Sequence, residues 1–232
     1  MAANPVVLIL GSGPRVGAAV AAKFFSSGYK VAVASRGGTG TKNSDGYLSL
    51  KADFANPASI PALFDAVKAE FQAAPTVVVY NAAALTPPPV QDNIFSIPVE
   101  TVTKDLNINT VSPWVAAQQA VSAWATLPKG TKKTFIYTGN GLNTTVIPVP
   151  LMVDLGVGKS ASAYWLGTAD ALYSSQGIRF FYTDERFEDG KVKGQELDGP
   201  AHADFYAQLA SHPDNVPWLT TFVKDKGYVQ FK

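Results

Sequence analysis

The chain has 232 residues, 47% of them hydrophobic and 16% charged, and a formal net charge of +1. That is the size and composition of one globular domain with a sizeable core; it excludes a disordered chain and argues against nucleic acid or anionic membrane as a partner. The absence of cysteine excludes disulfides, thiolate catalysis and zinc–thiolate sites.

No metal site is expected. The start, MAANPVVLILGSG, carries no basic region ahead of its apolar run, and no stretch approaches the roughly 20 apolar residues of a membrane span. A soluble, cytoplasmic protein is expected.

In chain order, VVLIL (6–10) is a continuous apolar run ending at glycine, the pattern of a buried parallel strand. Val16, Val20 and Phe24 then mark one face of a helix, stopped at Ser27-Gly28. KVAVAS (30–35) and YLSLKAD (47–53) predict the second and third strands. Asn56-Pro57 opens a helix, with the asparagine as cap, and its apolar stripe is Ile60, Leu63, Phe64, Val67 and Phe71.

TVVVYNAAA (76–84) predicts strand four, a long helical stretch runs from about Glu100 to Leu127, and TFIYTGN (134–140) predicts strand five. A helix from Gly158 to about Ser175 ends at Gly177, followed by IRFFYT (178–183) as strand six. AHADFYAQLA (201–210) predicts a helix and GYVQF (227–231) a terminal strand.

Strands alternating with helices imply right-handed crossovers. The fold expected is a single-domain α/β Rossmann-type doubly wound parallel sheet over residues 1–232, with about seven strands and helices on both faces. Ligands of such sheets bind outside the carboxyl ends of the strands.

Strand one runs into GSGPRVG (11–17), which opens a helix. Glycines there allow a tight turn and close approach of a pyrophosphate, whose charge the helix N-terminus holds. Gly11, Ser12, Gly13, Arg15, Val16 and Gly17 are therefore candidate cofactor contacts. The end of strand two selects the dinucleotide. NAD sites usually place Asp or Glu there, whereas this strand ends Ser35-Arg36 and no acid follows before Asp45.

A guanidinium suits a 2′-phosphate, and Arg15 could reach the same group. NADP(H) is the predicted cofactor. The alternative is NAD, with Arg36 a solvated surface charge.

These landmarks resemble the short-chain dehydrogenase/reductase family over about residues 5–183. The glycine loop is similar to that family's Thr-Gly-x-x-x-Gly-x-Gly, with Arg15 in place of the middle glycine. LKADF resembles the segment whose acid binds adenine, implying Asp53 beside Phe54. YNAAA resembles Asn-Asn-Ala-Gly, implying Asn81, Ala82 and Ala83. LNINTVSPW resembles the helix whose asparagine supports a catalytic water relay, implying Asn109.

KSASAYWLGTADALYSSQGIR resembles the active-site helix, and Lys159 precedes Gly177 by 18 residues as in typical members. The resemblance implies that Lys159 binds the nicotinamide ribose and lowers the pKa of a tyrosine four residues earlier. Here that position is Leu155. Tyr47/Lys51 and Tyr228/Lys232 repeat the spacing without preceding the right helix. The serine expected after strand five is also missing, for residues 123–159 contain none.

Thr138, Asn140 and Asn143 are the nearest polar residues to that slot, and the amide of Asn140 could stand in for the serine. The family's Pro-Gly after strand six is replaced by Thr183-Asp184-Glu185-Arg186, and residues 184–226 form a divergent substrate-side segment. The whole is similar to divergent fungal members of the family.

Three functions stay open. The first is an NADP(H)-dependent oxidoreductase transferring hydride to a small organic substrate, with Lys159, Asn109, Asn140 and Tyr182 in the site. Its proton would come from Tyr182, Asp154 or His202. The second is a non-redox reaction on a small molecule beside bound NADP(H), with Tyr164, Trp165, Phe181 and Trp218 as pocket aromatics or simply as core. The third is a cofactor sensor without turnover. WVAAQQAVSAWATL (114–127) and SASAYWLGTADALY (160–173), alanine-rich with spaced tryptophans, point to a homodimer or homotetramer.

Overall fold

A computed structural model describes residues 4–231. The strands are β1 (Val6–Leu10), β2 (Lys30–Ser35), β3 (Thr41–Lys42), β4 (Leu48–Lys51), β5 (Val77–Tyr80), β6 (Lys133–Thr138), β7 (Ile178–Glu185), β8 (Leu219–Val223) and β9 (Gly227–Tyr228). The helices are α1 (Val16–Ser26), α2 (Ile60–Phe71), α3 (Val99–Leu106), α4 (Ser112–Trp124), α5 (Val153–Tyr173) and α6 (Gly199–Ala210).

One sheet runs in the order β3-β4-β2-β1-β5-β6-β7-β8-β9. Its seven inner strands are parallel and its two short outer strands antiparallel. The doubly wound sheet is thus the one expected. Leu8, Leu10, Val78 and Phe135 pack against α2, α4 and α5 on one face. Val7, Ile9, Val79 and Phe181 pack against α1 and α6 on the other. Burial on both faces is why these strands read as continuous apolar runs. The strand order reverses at β1, between β2 and β5, which opens a crevice beyond their carboxyl ends.

Four boundaries differ from expectation. Asn56 makes no side-chain cap; the chain enters α2 through a 3₁₀ turn, Pro57–Ser59, and Asp53 Oδ1 instead accepts the N–H of Ala55 at 3.0 Å. The helix from Glu100 to Leu127 is interrupted by a π turn at Asn107–Val111. Pro113 supplies the reason, because it has no N–H to give back to the preceding turn.

The carbonyls it leaves free are taken by hydroxyls from the neighbouring strands and helix. Tyr80 Oη donates to Ile108 O at 2.6 Å, and Tyr137 Oη and Ser162 Oγ each donate to Asn109 O at 2.8 Å. The active-site helix begins at Val153, five residues earlier than predicted, so Leu155 and Lys159 share one helix. Finally, the seventh parallel strand is Leu219–Val223, not GYVQF; only Gly227–Tyr228 of that segment pairs, antiparallel. Lys232 lies outside the described residues.

Candidate active site

A cleft of about 560 Å³ lies at the carboxyl ends of β1, β2 and β5. Gly11, Ser12 and Gly13 form its floor, Ser35 and Arg36 its β2 side, and Asp53 with Phe54 a third wall. Asn81, Ala82 and Ala83 close it from β5. Gly11 has φ of 104°, and a Cβ there would lie 2.4 Å from the Ala82 nitrogen, so only glycine fits.

A Cβ on Gly17 would sit 2.7 Å from the Gly11 carbonyl oxygen, whereas one on Gly13 would meet nothing within 4 Å. The loop is therefore tight behind and bare in front, where a phosphate can approach backbone N–H groups. Asn81 Nδ2 fixes it by donating to Gly11 O at 2.8 Å. The start of α1 has no side-chain cap, and Val16 anchors that turn in the core, 6% exposed. Bare backbone, an uncapped helix start and the exposed Arg36 fit a dinucleotide phosphate.

Arg15 departs from expectation. Its Nη1 donates to Gln195 O at 2.6 Å, so the side chain leans onto the 186–198 segment and does not line the cleft. That segment crosses the glycine loop, where Gly199 meets the Arg15 backbone so closely that a Cβ would lie 2.8 Å from its carbonyl oxygen.

Lys159 is 3% exposed. Its Nζ donates to Thr138 O at 2.6 Å, at the end of β6, and stands 4.3 Å from the Tyr137 ring centre. Burial pulls its pKa down to about 7, against the opposing pull of the Asp184 carboxylate. Leu155, one turn earlier, is 9% exposed and offers no proton.

Asn109 is fully buried, and its side chain is locked by two bonds to the Ala84 backbone, at 2.9 and 3.0 Å. Asn140 caps its own turn, Oδ1 accepting the Leu142 N–H at 3.1 Å. Tyr182 lies beneath this loop. Its hydroxyl donates to Asn140 O at 2.8 Å and accepts from Asn140 N at 3.1 Å, and burial holds its pKa well above the phenol range. A hydroxyl so engaged positions the loop and is poorly placed to shuttle a proton.

The Tyr182 ring also crowds the turn after β6, where a Cβ on Gly139 would fall 2.1 Å from it. Thr138 points the other way, its hydroxyl 2.8 Å from Tyr206 Oη. His202 is fully buried against Tyr206 and Phe222, away from the cleft, with Nδ1 2.8 Å from Asp198 O.

Cleft residues that the sequence did not single out are Ala84, Leu85 and Thr86, Lys104 and Asp105 on α3, and Ile108 in the π turn. Asp105 stands four residues before Asn109, on the same helical face, and that spacing was the available signal. Among the described residues no group of three or more His, Asp or Glu could hold a metal ion, and no helix is long and apolar enough to cross a membrane.

The fold and cleft define an α/β protein of the nucleotide-binding, Rossmann type. The family model described as enoyl-(acyl carrier protein) reductase matches residues 14–142. The short chain dehydrogenase/reductase dmxR12 of Cryptosporiopsis sp. (strain 8999) is 39% identical over 98% of this chain and 95% of its own. The chain therefore belongs to the short-chain dehydrogenase/reductase family.

Solved structures share the fold at low identity. A 3-ketoacyl-(acyl-carrier-protein) reductase of Brucella melitensis, complexed with NADH, superposes with a TM-score of 0.79 at 17% identity, covering 97% of this chain and 98% of that one. A metagenomic short-chain oxidoreductase in complex with NADP gives 0.74 at 16% identity, over 95% and 97%.

Proposed function

We propose that the protein is an NADP(H)-dependent oxidoreductase acting on a small organic substrate. The observation that carries this is the exposed Arg36 at the end of β2, lining the glycine-loop cleft where NAD enzymes place an acid. Gly11, Ser12 and Gly13 would hold the pyrophosphate, Ser35 and Arg36 the 2′-phosphate, Asp53 and Phe54 the adenine, and Asn81 to Ala83 the middle of the molecule. Lys159 would hold the nicotinamide ribose.

The reduced nicotinamide, when bound, supplies a hydride to an electrophilic carbon. The protein's part is to orient, exclude water and manage one proton. Asn109 and Tyr182 keep the walls rigid, and Asn140 offers its amide N–H₂ to a substrate oxygen. Titration with NADPH and NADH separately tests the cofactor; tighter NADH binding would refute it.

A second reading is NADP(H) binding with a non-redox reaction or none. It is favoured by Leu155, which removes the usual acid, and by the absence of any serine from residues 123–159. Following NADPH absorbance against ketones, quinones, imines and enones decides between them. Tight binding without oxidation of NADPH supports the second reading.

The partner is proposed to be a second copy of the chain. Trp114, Gln118, Val121, Tyr164, Thr168 and Leu172 line an apolar groove of about 630 Å³ between α4 and α5. Tyr164 and Leu172 are 81% and 65% exposed there, which a two-fold pairing of these helices would cover.

A further inference from the structure

Arg15 belongs to the glycine loop, yet its guanidinium is turned to a neutral backbone oxygen. Nη1 donates to Gln195 O at 2.6 Å, and the arginine is exposed. A surface bond of this kind contributes little, and a phosphate oxygen is the stronger acceptor for the same fork of donors. What Arg15 holds is one stretch of the 186–198 strap, whose anchorage is uneven along its length.

Both ends of the strap are fixed. Arg186 donates its backbone N–H to Phe222 O at 2.9 Å, and its Nε and Nη2 each lie 2.5 Å from Asp184 Oδ2. A Cβ on Gly141 would meet that guanidinium at 2.6 Å, so Arg186 joins β7 to the turn after β6. A short hairpin follows, closed by the bridge of Arg186 with Val192 and by the Phe187 N–H donating to Lys191 O at 2.9 Å. Lys193 Nζ stands 3.5 Å from Glu185 Oε1. At the far end, the Asp198 N–H donates to Glu185 Oε2 at 2.8 Å, and the Asp198 carboxylate pairs with Lys224 at 2.7 Å.

Between Lys193 and Asp198 the holds are few. The Glu196 N–H donates to Lys193 O at 2.9 Å, a turn closed within the strap itself. Gly194 has φ of 55°, and a Cβ there would meet nothing within 4 Å. Gly194, Gln195 and Glu196 are exposed, and Leu197 rests half-buried against the apolar cluster under α1 and α6. Among the described residues, the Arg15 bond is the one hydrogen bond that ties residues 194–197 to the body of the protein.

We propose that residues 194–197 form a latch on the glycine loop, held shut by Arg15 and opened when a dinucleotide phosphate takes the guanidinium from Gln195 O. The proposal rests on the dinucleotide reading above. The shut and open forms differ in what Arg15 binds, and a ligand shifts a balance only through such a difference. Release of Gln195 frees Gly194 to turn and lifts Leu197 from the cluster. The strap is rooted at its other end on Asp184, whose charge acts on Lys159. The device thus couples the phosphate end of the cleft to its reaction end.

The chain has no cysteine, so the thiol of Leu197→Cys reports the latch alone. Its labelling by dithionitrobenzoate should run about 3–10-fold faster under saturating NADP⁺ or adenosine 2′,5′-bisphosphate, the range for loss of one hydrogen bond. 5′-AMP separates the two phosphates. Acceleration by AMP assigns the trigger to the phosphate at the glycine loop, and acceleration by the bisphosphate alone assigns it to the 2′-phosphate. Arg15→Gln in the same background should label fast without nucleotide and gain nothing from it.

Amide hydrogen exchange over residues 194–197 of the unsubstituted chain should rise with nucleotide in the same way, whatever the cysteine does to folding. Calorimetric binding of NADP⁺ that changes neither labelling nor exchange overturns the latch and leaves the cofactor reading standing. Wild-type labelling in the Arg15→Gln background also overturns it. Failure of both NADP⁺ and the bisphosphate to bind removes the cofactor reading and the latch with it.

Discussion

Lys159 shows how far a single residue carries the chemistry. Its spacing to Gly177 identified its slot in sequence; its burial, its bond to Thr138 O and its pKa of about 7 came from packing. A lysine whose folded pKa lies below its unfolded value keeps fewer protons folded than unfolded between those values. Stability therefore rises with pH from about 7 toward the ordinary lysine range. Lys159→Met should flatten that rise and raise the melting temperature at pH 6–7, while weakening NADPH binding; thermal melts across pH check the first and titration the second.

Arg36 stands at the other end of the cleft. Arg36→Ala should weaken NADPH by roughly 10–100-fold and leave NADH nearly unchanged, the loss of a charge-assisted bond to phosphate. Equal losses for both nucleotides would place the arginine elsewhere.

At the scale of elements, the joint between the α3–α4 stretch and α5 decides the site. Pro113 breaks the ladder, and hydroxyls of Tyr80, Tyr137 and Ser162 occupy the freed carbonyls. Gly158 lets α5 close on Asn109. Gly158→Ala should cost about 1–3 kcal/mol in urea unfolding by overpacking, and should weaken NADPH binding by displacing Asn109 from Ala84.

Helix α6 carries an acid-sensitive contact. Desolvation lowers the pKa of His202 to about 4, and of His212, just beyond the helix, to about 4. Folded histidines that resist protonation contribute stability that is lost as pH falls from about 6.5 through 4. Melting temperature should decline over that window, and His202→Gln should shrink the decline.

Across the whole molecule, seven parallel strands carry the cleft at one end, and α4 and α5 present an apolar face at the side. If a second copy covers that face, sedimentation should show a dimer, and Tyr164→Arg combined with Leu172→Glu should yield a folded monomer. A wild-type monomer at micromolar concentration would remove the proposal. The route from sequence to this architecture was short for the inner strands and for the stripe Ile60, Leu63, Phe64, Val67 and Phe71, all of them buried. It was long for Leu219–Val223, whose paired threonines interrupt the apolar run, and for the two-residue edge strands, which are defined only by their neighbours.

The sequence by itself determined the alternation of strands and helices, the glycine loop, the basic end of β2, the register of Lys159 and the loss of tyrosine and serine. All of these are local patterns or fixed intervals along the chain. Only the tertiary structure decided that Arg15 faces the 186–198 segment, that Tyr182 is locked under Asn140, and that His202 is buried far from the cleft. Those outcomes depend on which side chains from distant elements compete for the same space and the same hydrogen-bonding partners, and no interval in the sequence encodes that competition.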